Sequence, residues 1–371
     1  MLSSRIVAGS QGYEPLASDW DRILRSCKHG VRGPDETCSS VWARALARTL
    51  LKESDLQTFV VTENDAVVGV IPTYRSTAAA VPLNRRELRA ITEANAGRRG
   101  LLVLNDDVRV MGYALEQMQR ELGQWDLFLF TVVEGSASHA ALAKAAQDHS
   151  LRLRCVGTNE SPFIELGTSW DALLAALPKK MRWTIRKSEK DLSAKGRLEY
   201  EEVTKPAQVA PFLEAVYAIE RKSWKEASGT SITAQTQQQE FYDVFVALAA
   251  EHGRLCAHVL RLDGVPLAYI LGVNGGDGVF LDLKESFDNE WSEHSPGHVL
   301  KRFAFERLIS HGITLYDFMG KCEQYKMRWT DRTYKVLTIA LFNRSVAGSL
   351  GYLRSKLGKS SMPVPDYKVA I

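Results

Sequence analysis

The stretch RLCAHVLRLDGVPLAYILGVNGGDGVFLDLKESFDNEWSEHSPGHVLKRFAFERLISHGI, residues Arg254 to Ile313, decides the fold. Arg254–Arg261 is rich in β-formers, and Leu262-Asp263-Gly264-Val265 supplies a hairpin turn into a second strand, Pro266–Val273. Asn274-Gly275-Gly276-Asp277-Gly278 turns the chain again, and Val279–Lys284 makes a third strand. Glu285–His294 reads as a polar loop. Ser295 then suits an N-cap, Pro296 suits the first helical position, and Leu300, Phe303, Ala304 and Leu308 recur at helical spacing. Gly312 ends that helix, Ile313–Phe318 is a fresh strand, and Val336–Asn343 another after the polar stretch Gly320–Lys335.

The first half echoes this order. Gln57–Thr62 and Ala66–Pro72 are strands about the turn Glu63-Asn64-Asp65. A short strand (Leu101–Leu104), a helix (Met111–Leu122), a strand (Asp126–Val133), a helix (Ser138–His149) and a strand (Leu151–Val156) follow. Asn64-Asp65-Ala66-Val67-Val68-Gly69 lies against Asp263-Gly264-Val265-Pro266-Leu267-Ala268. The expectation is an α/β fold of two tandem domains, each a mixed, mostly antiparallel sheet flanked by helices. Their bounds are residues 1–165 and 166–345, with a helical insert at Ser169–Ala194. The tail 346–371, with Gly348, Gly351, Gly358, Pro363 and Pro365, is expected to be loosely ordered.

Composition agrees with this division. The chain has 371 residues, 45% hydrophobic and 25% charged, more than one core of about 250–300 residues usually holds. Its 47 basic and 44 acidic residues leave a formal charge of +3, so any basic signal must be local. The longest apolar run, Val244–Ala250, is far short of the roughly 20 residues that cross a bilayer. No export signal is read at the start, and the expected compartment is the cytoplasm. Cys27, Cys38, Cys155, Cys256 and Cys322 are odd in number and form no CxxC pair, which disfavours a disulfide framework or a cysteine zinc site. His294 and His298 are four apart, but Pro296 starts a helix between them, so no metal is expected. Phosphate-loop, dinucleotide-binding, nucleophile-elbow and HExxH signatures are absent.

Four local features could carry chemistry. Ser295-Pro296-Gly297-His298-Val299 would present helix N–H groups to an anion, with Lys301 and Arg302 one turn on; it is also simply a good helix start. Asp317, on a strand face with Ile313 and Leu315, needs a partner if buried, and Tyr325 and Lys326 follow a short polar link later. Glu220-Arg221-Lys222-Ser223-Trp224-Lys225 ends a helix that begins near Val209. The basic run Lys179, Lys180, Arg182, Arg186, Lys187, Lys190, Lys195 and Arg197 is balanced only by Glu189 and Asp191. It suits either a polyanion or the solvated face of an amphipathic helix.

Pro178–Arg186, Glu220–Lys225, Leu262–Ala268, Ser295-Pro296-Gly297 and Tyr316-Asp317-Phe318 through Tyr325-Lys326 together resemble the CelD/BcsL-type branch of the GNAT N-acyltransferases. The resemblance covers residues 165–335 best, and the Fem-type transferases that use aminoacyl-tRNA are more distantly similar. It implies tandem GNAT domains, with catalysis in the second, and acyl transfer from acyl-CoA to a small-molecule amine, amino sugar or hydroxyl. The usual [RQ]xxGx[GA] pyrophosphate signature is missing, and Ser295-Pro296-Gly297-His298 holds its topological place. The donor site it implies is Ser295, Gly297, His298, Val299 and Lys301. Tyr325 is cast as acid, Asp317 or Glu220 as base or ammonium anchor, and Lys326 as a partner of Asp317 or holder of an anionic acceptor. Trp224 and Asp282 would bind the acceptor. An aminoacyl-tRNA donor and a non-catalytic accessory of polysaccharide assembly are the alternatives.

Overall fold

Both hairpin turns read from the sequence form through left-handed residues, Asn64 and Asp65 (φ 49° and 67°) in one and Asp263 and Gly264 (φ 48° and 79°) in the other. Such turns match the twist of the strands they join. The computed structural model describes residues 1–28, 30, 33–78, 85–91, 98, 100–122 and 124–357. The chain divides into two units, Met1–Glu160 with Tyr334–Ile371, and Ser161–Thr333.

The first unit begins with β1 (Leu2–Ala8), α1 (Tyr13–Ser26) and α2 (Ser40–Thr49). Next come β2 (Leu56–Glu63), β3 (Ala66–Ala78), β4 (Arg85–Ala90) and β5 (Leu102–Val103). Helix α3 (Val108–Glu121), β6 (Leu127–Val133), α4 (Ala137–Asp148) and β7 (Leu153–Glu165) complete the run, with Ser161–Glu165 of β7 in the second unit. β1, β2, β3 and β4 pair antiparallel in sequence order, and β4 pairs parallel with β6. Phe59, Ile71, Leu88, Met111, Leu115, Phe128 and Phe130 form its core.

The second unit holds α5 (Trp170–Ala176), α6 (Lys179–Ser193), β8 (Leu198–Val203), α7 (Val209–Lys222) and α8 (Trp224–Ala227). Then come α9 (Thr236–Glu251), β9 (Leu255–Leu262), β10 (Val265–Gly276), β11 (Val279–Phe287), α10 (Pro296–Ser310) and β12 (Leu315–Asp317). The expected helical insert is thus two helices, parted at Leu177-Pro178, because the residue before a proline leaves the helical region. β8, β9, β10 and β11 run antiparallel in sequence order, β11 pairs parallel with β12, and β12 antiparallel with Phe163–Glu165. Met181, Ile185, Leu300, Ala304 and Phe305 pack on one face of this sheet with Leu260, Ile270 and Phe280. Helices α7 and α9 pack on β10 and β9, with the Phe212 ring edge-on to Tyr269.

The chain returns to the first unit as β13 (Thr333–Phe342) and α11 (Val346–Lys356). β13, expected within residues 166–345, pairs antiparallel with β6 from Val336↔Val133 to Phe342↔Leu127. The loosely ordered tail is a helix as far as Lys356, capped where Ser345 accepts from the Gly348 N–H, and residues 358–371 lie outside the described residues. Among the described residues no helix is long and apolar enough to cross a membrane.

Candidate active site

β11 runs three residues further than its sequence pattern was read, to Phe287, and those residues build the site. It pairs with β12 only from Val279↔Leu315 to Leu281↔Asp317. Beyond that point the two strands part, and among the described residues no strand covers that edge of Asp282–Phe287. A cavity of about 380 Å³ opens there. Glu285, Ser286 and Phe287 of β11 line it, with Ser295, Gly297, His298 and Lys301 from the start of α10. Trp224 and Lys225, with Gln324, Tyr325, Arg328 and Trp329, close the remaining sides.

A bulge shapes the floor. Leu271 pairs with Lys284 but Gly272 pairs with Asp282, so Leu283 is an extra residue on β11. One inserted residue re-aims the side chains beyond it. Asp282 and Glu285, three apart, therefore both reach the Lys301 ammonium: Glu285 Oε2 bonds it directly, and Asp282 Oδ2 lies 3.7 Å away. Gly272 is required here, because a Cβ would stand 2.1 Å from Phe280 Cζ and 2.7 Å from the Leu281 carbonyl oxygen. Lys301 is 2% exposed, and burial lowers its pKa to about 8 against the opposing pull of Asp282. Asp282 Oδ2 also accepts from the Tyr316 hydroxyl at 2.7 Å.

The start of α10 is unusual. Ser295 is left-handed (φ 44°, ψ 54°) and its side chain makes no capping bond. Its carbonyl instead accepts from the N–H groups of His298 (3.0 Å) and Val299 (3.4 Å). Of the three N–H groups expected to meet an anion, these two are engaged, and only that of Gly297 is left out of this turn. Val299 points its side chain into the core. His298 lines the cavity, edge-on to Trp329 at 5.6 Å, and burial lowers its pKa to about 4, so it is neutral near pH 7. A Cβ on Gly297 would meet only Phe287, at 3.7 Å, so packing does not demand glycine there.

The expected catalytic residues divide. Tyr325 lines the cavity, and burial beside Glu323 raises its pKa, so its phenol keeps its proton. Lys326 does not turn to Asp317. It donates to the Met319 carbonyl at 3.0 Å and pairs with Glu323 at 3.0 Å, since the chain folds back through left-handed Met319 and Gly320. Asp317 is buried and accepts from the Met319 N–H at 2.9 Å. Glu220 is fully buried away from the cavity. Its oxygens take the Tyr269 hydroxyl (2.5 Å) and the Ile232 N–H (2.9 Å), which fastens the segment after α8. Trp224 is 52% exposed on the cavity rim, whereas Asp282 lies beneath it.

Sequence reasoning missed Glu285, Ser286, Arg328 and Trp329, and gave Lys225 no role. The signal for the first two was present: the alternation Leu281, Leu283, Glu285, Phe287 continues past Lys284. Lys225, Lys301 and Arg328 give the cavity three cations against the single carboxylate of Glu285. Lys225 donates to the Glu285 carbonyl oxygen at 2.5 Å on the strand's open stretch. Among the described residues no three His, Cys, Asp or Glu side chains converge as metal ligands.

Residues 179–327, which hold all these elements, match the family model described as an acetyltransferase (GNAT) domain. The second unit is a GNAT domain. It is the CelD/BcsL-type domain that the sequence resembles, and it marks an acyltransferase. FemX is similar in structure at 13% identity, with a TM-score of 0.59 over 87% of this chain and 95% of its own. The C-terminal domain of a putative lysylphosphatidylglycerol synthetase from Agrobacterium fabrum is similar at 14% identity and a TM-score of 0.55, over 94% of this chain and 96% of its own. These likenesses show the fold, in which the GNAT domain follows a second unit of mixed sheet. No curated protein matches the sequence.

Proposed function

We propose that the GNAT domain transfers an acyl group from an acyl-CoA thioester to a primary amine, of a small molecule or an amino sugar. The observation that carries this is the parting of β11 from β12 over a cation-lined cavity. A strand edge with unpaired peptide groups suits an extended ligand that itself bears amides, as the pantetheine arm does. Lys225 and Arg328, with the free N–H of Gly297, suit its phosphates. Lys301 is already paired with Glu285 and belongs to the reacting end.

Aminolysis of a thioester needs an unprotonated amine and a proton for the departing thiolate. Tyr325 keeps its proton and faces the cavity, so it is the donor to sulfur. The first unit offers no such place at its corresponding helix. Asp107 caps α3 and accepts from the N–H groups of Arg109 and Val110, filling the helix end with a carboxylate.

A second reading rests on α6. Lys179, Lys180, Arg186 and Lys190 lie exposed there without a carboxylate partner, around a Trp183 that is 62% exposed. Cations about an exposed indole suit nucleic acid, and an aminoacyl-tRNA would then be the donor. Thermal melting decides between them. Acetyl-CoA or a longer acyl-CoA should raise the melting temperature by several degrees at about 100 times its dissociation constant, and tRNA should not. A shift with tRNA alone favours the second reading, and no shift with either leaves a GNAT fold kept as an adaptor.

A further inference from the structure

We infer that Glu285 is the catalytic base, receiving the acceptor's ammonium at its Oε1 atom and taking its proton, with Lys301 as the residue that positions it. This rests on the acyl-transfer reading and names the reacting group of its acceptor, a primary amine. The Glu285 side chain is 14% exposed and lines the cavity, its Oε2 atom held by Lys301. Its Oε1 atom is buried and has no hydrogen-bond partner. A buried carboxylate oxygen without a donor bears its full desolvation cost, and a cation placed there by a ligand removes it. The same charge repels phosphate, so this end of the cavity is not where the CoA phosphates lie.

Two other cavity-lining atoms are orphaned in the same way, Ser286 Oγ and Trp329 Nε1. An indole N–H can only donate, so it calls for a ligand oxygen, while Glu285 calls for a ligand N–H. One wall thus asks for an amine and another for a carbonyl or hydroxyl oxygen, the two groups that meet in aminolysis. The bulge at Leu283 brings Asp282 and Glu285 onto Lys301 together, which fixes the rotamer of Glu285 and leaves one of its oxygens outward.

Every proton has a place to go. The ammonium passes one proton to Glu285 Oε1, and the freed lone pair bonds to the thioester carbon, whose carbonyl π pair moves to oxygen. Collapse of that intermediate restores the carbonyl and breaks the carbon–sulfur bond, and the thiolate takes the Tyr325 proton. The second proton of the nitrogen replaces the one that Tyr325 gave. Glu285 returns its own to solvent.

The test is thiol release from acetyl-CoA with 2-aminoethanol, protonated at pH 7, and with hydroxylamine, which is largely neutral there. Glu285→Gln should lower the rate with 2-aminoethanol by about 10²-fold or more and leave the rate with hydroxylamine within a few fold of wild type. Lys301→Met should show the same selective loss, and Lys301→Arg should recover part of it. An equal loss with both nucleophiles, or no loss with either, overturns the assignment while the acyl-transfer reading stands. Absence of thiol release from the wild type with both amines overturns that reading and this assignment with it.

Discussion

Tyr325→Phe keeps the ring that walls the cavity and removes only the hydroxyl. Turnover should fall by about 10²–10⁴-fold with acyl-CoA binding unchanged, and a steady-state comparison of kcat checks it. A second residue-scale outcome concerns stability. Burial holds the His258 pKa at about 3, against 6.5 when unfolded, and its Nδ1 accepts from the Tyr200 hydroxyl at 2.8 Å. The unfolded chain therefore binds a proton that the folded one refuses. Stability should fall as pH drops from about 6.5 toward 3, by about 1.4 kcal/mol per pH unit at the steepest. His298, lowered to about 4, adds to the slope over the upper part of that window. Urea midpoints at pH 7 and pH 5 measure this, and the difference should shrink in His258→Gln. Individual roles were the least legible level of the sequence. Tyr325 could be placed because a local link joins it to a strand end. That Glu220 would turn to Tyr269 and Ile232, and Lys326 to Met319, depends on contacts that no spacing encodes.

At the scale of elements, the beginning of α10 carries the sharpest outcome. Gly297→Asp fits sterically, with only Phe287 near its Cβ. It sets a carboxylate where phosphate is proposed to lie, so CoA affinity should fall about tenfold or more, as a reversed charge at a helix start would give. Calorimetric titration measures it, and unchanged affinity would move the phosphate site elsewhere. Elements set by local chemistry were readable: three meander strands, their turns, and a helix opening at Pro296. What hid was set by long-range pairing. The strand Val336–Asn343 carries no mark of its partner, because alternation tells which face is buried but not which edge is joined. The bulge at Leu283 was hidden for the same reason, since it exists only relative to β10.

For the whole molecule, the two units differ at corresponding helices. α3 is capped by Asp107, while the side chain at the start of α10 caps nothing. Asp107→Ala should cost about 1 kcal/mol of stability and leave the melting shift given by acyl-CoA unchanged. Loss of that shift would move donor binding to the first unit. The tandem arrangement itself was visible as a repeated order of strands and turns, whereas the extent of each unit was not, because the chain leaves the first and comes back to it. The tether from Glu220 to Ile232 has a consequence for how such a protein can diversify. The segment from Trp224 to Thr233 forms one rim of the cavity, yet it is fastened by a residue buried outside it. Its tip, with Gly229 at φ 68° and open space about it, can lengthen or change without pulling on the anchor. Acceptor preference can drift in that loop between descendants while β11, α10 and Tyr325 are inherited intact, so relatives that share the donor chemistry should differ first between residues 224 and 233.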